Sequence, residues 1–214
     1  MSDVLALFPL PNVVLFPGME LVLHIFEERY KQMMQDILPN EKQFGIQFCR
    51  EYNPETLEGV PFDVGTVAEV IACTALEDGC WNLKVLGKER FHVVDYDSHS
   101  KPYLMGTIAL LTDQKDGYVT QKLLSQTTEL FQEVLSMTHR LLCHESYVEE
   151  PLPQTPAEIS FYIAKNLRGS LVLKQELLEM TSIKERLTFE RKALVKLVKT
   201  LAVRCQIEDA FRKN

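Results

Sequence analysis

The stretch ALFPLPNVVLFPGMELVLHIFEERYKQMMQD, residues 6–36, contains the change of rhythm on which the fold turns. It opens on short apolar runs, 4–10, 13–16 and 21–26, interrupted by Pro9, Pro11 and the Pro17-Gly18 pair. Runs this short between such breakers predict strands joined by tight turns. Proline cannot donate to a sheet ladder, so these prolines belong at strand ends, bulges or edges. Over 27–38 the period lengthens: Tyr30, Met33, Met34 and Ile37 recur at three and four, with Glu28, Arg29, Lys31, Gln32 and Asp36 polar between them. One short helix inserted among strands follows, stopped at Pro39-Asn40.

Downstream the strand signals continue. Residues 44–49, 64–73, 81–86 and 90–96 are β-rich, with turns expected at Glu77-Asp78-Gly79 and at Gly87-Lys88. A last strand is expected over 103–111. Residues 51–62 have no period and read as an exposed loop, a natural place for contact with something else. After Gly117 the pattern becomes helical. A long amphipathic helix is expected over 119–142, and a second from the capping box at Thr155-Pro156-Ala157-Glu158 to about residue 167. A third follows over 172–180. The last starts after Ser182, with Glu185 completing a second capping box. It places Ile183, Leu187, Leu194, Leu197, Val198, Leu201, Cys205 and Phe211 on one face, with Lys184, Lys192, Lys196, Lys199 and Arg204 mostly off it. Strands first and helices afterwards predict an α+β chain with a β subdomain at 1–114 and a helical bundle at 118–214. Closure or part-closure of the small sheet is the expected answer to its edges.

At 214 residues, 46% hydrophobic and 25% charged, the composition is that of a globular protein with a real core. No apolar run approaches the roughly 18–20 residues that span a bilayer. The N-terminus shows no secretion signal, so the default address is the cytoplasm. Five scattered cysteines then read as reduced thiols. Net charge is −7, yet residues 183–214 hold nine Lys/Arg against four Asp/Glu, so the remainder is strongly acidic. An acidic surface opposes non-specific nucleic-acid binding, which feeds on neutralised phosphates.

No constellation for covalent chemistry emerges. Ser170 and Lys174 are four apart, but Ser170 follows Gly169 at a helix-helix turn and reads as a cap rather than a nucleophile. His139, Cys143 and His144 bring at most two groups to one helix face, short of the three or four ligands a metal needs. Cys73 and Cys80 flank a turn and would face one another across a hairpin as two thiols. No G-x-x-x-x-G-K-[ST] loop occurs, so ATP has no seat, and no cofactor or metal is expected. The candidate binding residues are Glu27, Arg29, Tyr30, Met33 and Met34. Glu27 is expected to cap the short helix or pair across the barrel mouth. Of the two adjacent methionines, one is expected to face solvent, where methionine suits surfaces that accept many partners.

Residues 6–36 resemble the opening of the Lon protease N-terminal, substrate-binding domain. Further stretches agree in order: Asp63-Val64-Gly65-Thr66-Val67-Ala68, Gly87-Lys88-Glu89-Arg90-Phe91-His92-Val93, and KQELLEMTSIKERL at 174–187. One departure is Glu28, where that family commonly has proline. The resemblance implies a PUA-like β pseudo-barrel with one inserted helix, followed by a helical bundle. It also implies a non-enzymatic module that recognises exposed or unfolded polypeptide segments, or an adaptor for a protease or chaperone; weak self-association is a separate expectation. The ATPase and protease modules of full Lon enzymes are not in this sequence. Two other readings stand beside it: an RNA-binding PUA-like protein, and a small-ligand protein with a pocket at the barrel mouth.

Overall fold

A computed structural model describes residues 3–53, 58–114, 118–142 and 151–212. Six strands and five helices follow in the order β1 (Asp3–Leu10), β2 (Glu20–Ile25), α1 (Glu28–Ile37), β3 (Gln43–Asn53), β4 (Glu58–Ala75), β5 (Trp81–Asp97), β6 (Met105–Leu110), α2 (Gln121–Leu142), α3 (Pro156–Asn166), α4 (Leu171–Glu179) and α5 (Ile183–Arg212). The architecture is the α+β pseudo-barrel and helices that the resemblance implied. Packing divides the chain into a strand unit, Met1–Thr112 with Lys165–Glu179, and a helical unit, Asp113–Ala164 with Met180–Asn214. The division at 114 and 118 had placed α4 with the later helices, whereas it packs with the strands. Gln175 Nε2 donates to the Val64 carbonyl at 3.0 Å, and Arg90 donates to the Leu178 carbonyl at 2.5 Å, so polar side chains tie α4 to the strands beside its buried Leu177 and Leu178.

In the strand unit the sheet order is β2-β5-β4-β3-β1-β6, with β5 also paired to β6. That last pairing closes β1, β3, β4, β5 and β6 into a ring, since a closed sheet has no open edges to protect. Strand β5 is long enough for two roles: residues 81–86 pair with β2, and 91–97 pair with β6. Inside the ring sit Leu5, Leu7, Val67, Phe91, Val93 and Ile108. Space there is so limited that a Cβ at Gly65 would lie 2.5 Å from the Ile46 carbonyl oxygen and 2.7 Å from the Phe91 ring. A second core lies under α1, where Tyr30, Met33 and Met34 meet Phe8, Phe44, Ile46, Leu23, Ile25 and Val85.

Four local expectations are corrected. Residues 13–16 form no strand: Val14, Leu15 and Phe16 are buried in irregular chain, and the Leu15 carbonyl accepts a hydrogen bond from Thr66 Oγ1 at 2.6 Å. Gly87-Lys88 is no turn, because β5 runs through it. Gly87 lets the turn at 16–19 lie against the strand: its N–H donates to Met19 O, its carbonyl accepts from Gly18 N–H, and a Cβ would strike the Phe16 carbonyl. Of the segment 51–62, residues 54–57 lie outside the described residues and the rest is strand, β3 ending at Asn53 and β4 starting at Glu58, with Phe62 stacked on Phe48 at 5.4 Å. Lastly, Cys73 lies opposite Leu83 in the ladder, not opposite Cys80, and is exposed where Cys80 is buried.

In the helical unit α2 and α5 bury Phe131, Val134, Leu187, Leu194 and Leu201. The capping box at Thr155 closes in both directions: its N–H donates to Glu158 Oε2 at 3.1 Å, and Glu158 N–H to Thr155 Oγ1 at 3.3 Å. Ser182 Oγ accepts from Glu185 N–H at the head of α5. The face of α5 is not the uniform apolar stripe expected: Arg186 and Glu190 are both fully buried on it. Arg186 meets Asp113 with two nitrogens at 3.0 and 3.2 Å, donates to Met180 O and to Ser160 Oγ at 2.7 Å each, and lies 4.0 Å over the Phe161 ring. Ser160 in turn donates to Glu190 Oε1 at 2.8 Å, leaving Glu190 Oε2 without a hydrogen-bond partner. Burial drives the Glu190 carboxyl well above the usual carboxylate range, against the pull of Ser160 and Arg186.

Candidate functional site

A cleft of about 310 Å³ opens in the strand unit. Its walls are Pro9 from the end of β1, Arg29 and Tyr30 from the first turn of α1, Cys49, Gly59 and Pro61 where β3 meets β4, and residues 98 and 102–104 between β5 and β6. The β2-to-α1 junction sets the first of these. Glu27 is the N-cap residue but makes no side-chain cap; its carboxylate instead holds Arg29, Oε2 lying 2.9 Å from Nε and 2.8 Å from the terminal nitrogen. The Arg29 guanidinium lies 4.7 Å from the Tyr30 ring centroid, and that ring meets Phe8 edge-on at 4.3 Å. The pairing expected of Glu27 is thus local, to Arg29, and the capping is not made.

The opposite wall is clamped by one carboxylate. Asp36 Oδ2 accepts from Lys101 Nζ at 2.9 Å and from Tyr103 OH at 2.7 Å, and Oδ1 accepts from Gln32 Nε2 at 2.9 Å. These bonds, led by that of Lys101, hold the Asp36 carboxyl at about 2. Burial and then Asp36 push the Tyr103 phenol upward. Asp97 Oδ1 accepts from the His99 and Ser100 amides and shapes the turn that follows β5. Burial also raises the Cys49 thiol above its ordinary value. The cleft therefore offers a held guanidinium, aromatic surface, proline edges and backbone groups. It can grip by shape and hydrogen bonding, and the residues that line it include no nucleophile paired with a base.

Of the five residues proposed from sequence, Arg29 and Tyr30 line the cleft and Glu27 holds Arg29. Met33 and Met34 do not reach a surface; both are completely buried. The expectation that one faces solvent fails because 30, 33, 34 and 37 form the full i, i+3, i+4, i+7 stripe, wide enough to bury neighbours 100° apart. Ser170 is a cap, its Oγ accepting from Leu173 N–H at 3.2 Å, and Lys174 Nζ donates to the Lys165 carbonyl at 2.8 Å. Cys143 and His144 lie outside the described residues. Among the described residues no three His, Cys, Asp or Glu side chains gather as a metal site, and no helix is long and apolar enough to cross a membrane.

Sequence reasoning missed the outer face of β2. Val22 is 73% exposed and Phe26, just past the strand, 55%, while Leu23 and Ile25 between them are buried. The His24 ring stacks on Phe26 at 6.1 Å, and its Nδ1 donates to Asn82 Oδ1 at 2.8 Å. The signal was present as alternation: once Leu23 and Ile25 point inward, positions 22, 24 and 26 must point out.

The strand unit thus presents a cleft with a held guanidinium and aromatic walls, and apolar side chains exposed on the outer face of β2. Comparison gives the family. The model of the ATP-dependent protease La (LON) substrate-binding domain matches residues 4–196, and this chain belongs to that family. The chain is 24% identical over 216 residues to a Lon protease of Dictyoglomus thermophilum, covering 99% of this chain and 27% of the relative. With a Lon protease of Anaeromyxobacter dehalogenans it shares 26% identity over 212 residues, covering 98% and 25% respectively. It thus spans about a quarter of the length of these relatives. In structure it is similar to a Lon N-terminal domain protein from Xanthomonas campestris, with a TM-score of 0.64, 23% identity and coverage of 87% of this chain and 95% of that one. The N-terminal domain of a Mycobacterium avium complex Lon protease gives a TM-score of 0.63 at 14% identity, over 90% and 98%. Both likenesses concern the fold.

Proposed function

We propose that this chain is a non-enzymatic polypeptide-recognition module of the cytoplasm. It binds exposed or unfolded segments of other proteins, alone or as an adaptor that passes them to a protease or chaperone. The observation that supports this most is the pairing of substrate-binding family membership across 4–196 with a cleft equipped to grip but not to react. At about 310 Å³ the cleft is at the small end of ligand pockets, a size suited to one or two side chains of a longer segment. Arg29 and Tyr30 are its contact residues, with Glu27 keeping the guanidinium in place. Titration of the purified chain with fluorescently labelled, reduced and carboxymethylated α-lactalbumin tests the reading. We expect a Kd on the order of 10 μM, or about −7 kcal/mol, weakened by Arg29→Ala, and no binding to the native, disulfide-intact protein. Equal binding to both forms, or to neither, would refute it.

A further inference from the structure

We infer that β2 (Glu20–Ile25) is a strand-addition site, on which an extended, uncharged apolar segment of a client protein pairs as a further strand. The inference rests on the reading of the chain as a polypeptide-recognition module and names the part of the surface that performs it. Four observations carry it. First, β1, β3, β4, β5 and β6 close into a ring, whereas β2 stands outside it with β5 as its one strand partner among the described residues. An antiparallel strand directs alternate N–H and C=O groups to each side, so the row of β2 facing away from β5 has no ladder. Only another extended backbone completes such a row in full.

Second, β2 lacks the devices that keep strand edges from pairing. Such edges are blunted by lysine, proline, bulges or inward charge. The run Glu20–Ile25 has no proline or lysine and pairs with β5 residue for residue without a bulge. Its one acidic residue is already engaged, Glu20 Oε2 lying 2.8 Å from Lys84 Nζ. Third, the outward side chains recur at the spacing of an extended partner: Val22, His24 and then Phe26. The His24–Phe26 stack, fixed by Asn82, makes an aromatic shelf at one end. Fourth, residues 21–26 contain no acidic or basic side chain besides His24, so they complement an apolar segment and not a charged one.

Backbone pairing accepts many sequences, while the pockets between outward side chains select for alternation. Folded proteins blunt the edges of their strands, so this edge would favour unfolded over folded clients without catalytic machinery.

The probe is a short fluorescein-labelled peptide of alternating valine and threonine with one phenylalanine, titrated into the full chain. A second copy of the peptide is N-methylated at alternate residues, which removes the donors of one edge and keeps the side chains. We expect methylation on the pairing edge to weaken binding at least about tenfold, each lost hydrogen bond contributing roughly 1 kcal/mol. Val22→Lys should weaken it by a similar factor and Phe26→Ser by less, both with unchanged thermal melts, because both side chains are exposed. Hydrogen exchange should show new protection at 20–25 when peptide is bound. Equal affinity for both peptides, indifference to Val22→Lys, or protection confined to the cleft would overturn the strand-addition site while leaving polypeptide recognition standing. If carboxymethylated α-lactalbumin also failed to bind the unaltered chain, the broader reading would fall as well. A dimer in sedimentation equilibrium that Val22→Lys dissolves and the peptide cannot displace would mean that a second copy occupies the edge, and would also overturn the inference.

Discussion

The two units differ in how they satisfy buried polar groups. In the strand unit each named group reaches a main-chain carbonyl: Thr66 that of Leu15, Gln47 that of Phe62, Arg90 that of Leu178 and Gln175 that of Val64, with Gln47 also donating to Tyr96 OH and Gln175 to Glu179 Oε1. Two of these carbonyls, Leu15 in irregular chain and Leu178 at the end of α4, lie outside any strand, and the other two belong to β4; a buried carbonyl must find a donor. In the helical unit the buried groups turn toward one another, Asp113, Arg186, Ser160 and Glu190 forming one connected set. Helices satisfy most of their own backbones, so a charged side chain inside a bundle draws largely on other side chains, although Arg186 also reaches the Met180 carbonyl and Thr127 bonds back to the Leu123 carbonyl. The lesson is that a polar residue at an apolar position means different things in the two architectures.

The largest effect expected from this contrast lies in the helical unit. Arg186→Ala leaves Asp113 without its bidentate partner and Glu190 without a neighbouring positive charge, and should cost about 3–5 kcal/mol in urea denaturation. A loss under about 1 kcal/mol would show that the network is decorative. Next comes the strand unit's tightest point. Gly65→Ala drives a methyl into Phe91 and the Ile46 carbonyl, and should cost about 1–3 kcal/mol by the same measurement.

Two smaller effects separate the units by pH. Asp36 titrates in the fold at about 2, below its unfolded value near 3.9, so its contribution is complete above about pH 4 and is lost as pH falls toward 2. Asp36→Asn should cost about 1 kcal/mol at neutral pH and flatten the acid arm of the stability curve. Glu190 has the opposite sign. Its folded carboxyl binds its proton more tightly than the unfolded one, so its contribution is greatest below about pH 4.3 and declines as pH rises toward the folded value. Glu190→Gln should remove that decline and change stability by less than about 1 kcal/mol at pH 4. Thermal melts across pH 2–8 check both. Parallel curves for the two variants would erase the distinction between a surface clamp and a buried acid.

Periodicity made most elements readable, because a two-residue and a 3.6-residue rhythm differ plainly on either side of Glu27 and of Gly117. It misled where burial, not secondary structure, set the pattern. Val14, Leu15 and Phe16 are apolar because they are covered, not because they are strand. Gly87 is glycine because a carbonyl presses on it, not because the chain turns. One of Met33 and Met34 was expected at the surface because adjacent helical positions diverge, yet both are buried in the cluster under α1. In the candidate site, Arg29 and Tyr30 were proposed from the stretch at the short helix, while the cleft they line is assembled from residues as distant as Pro9 and Leu104, which no local pattern connects. Arg186 and Glu190 were hidden because charged residues on a lysine-rich helix read as solvated.

The account stands or falls on whether the purified chain distinguishes an unfolded protein from its folded form. Fluorescence titration with reduced, carboxymethylated α-lactalbumin beside the native protein measures this directly. Saturable binding of the unfolded form at a Kd on the order of 10 μM, with the native form inert, is the predicted result. Binding that ignores the difference, or none to either, would contradict it.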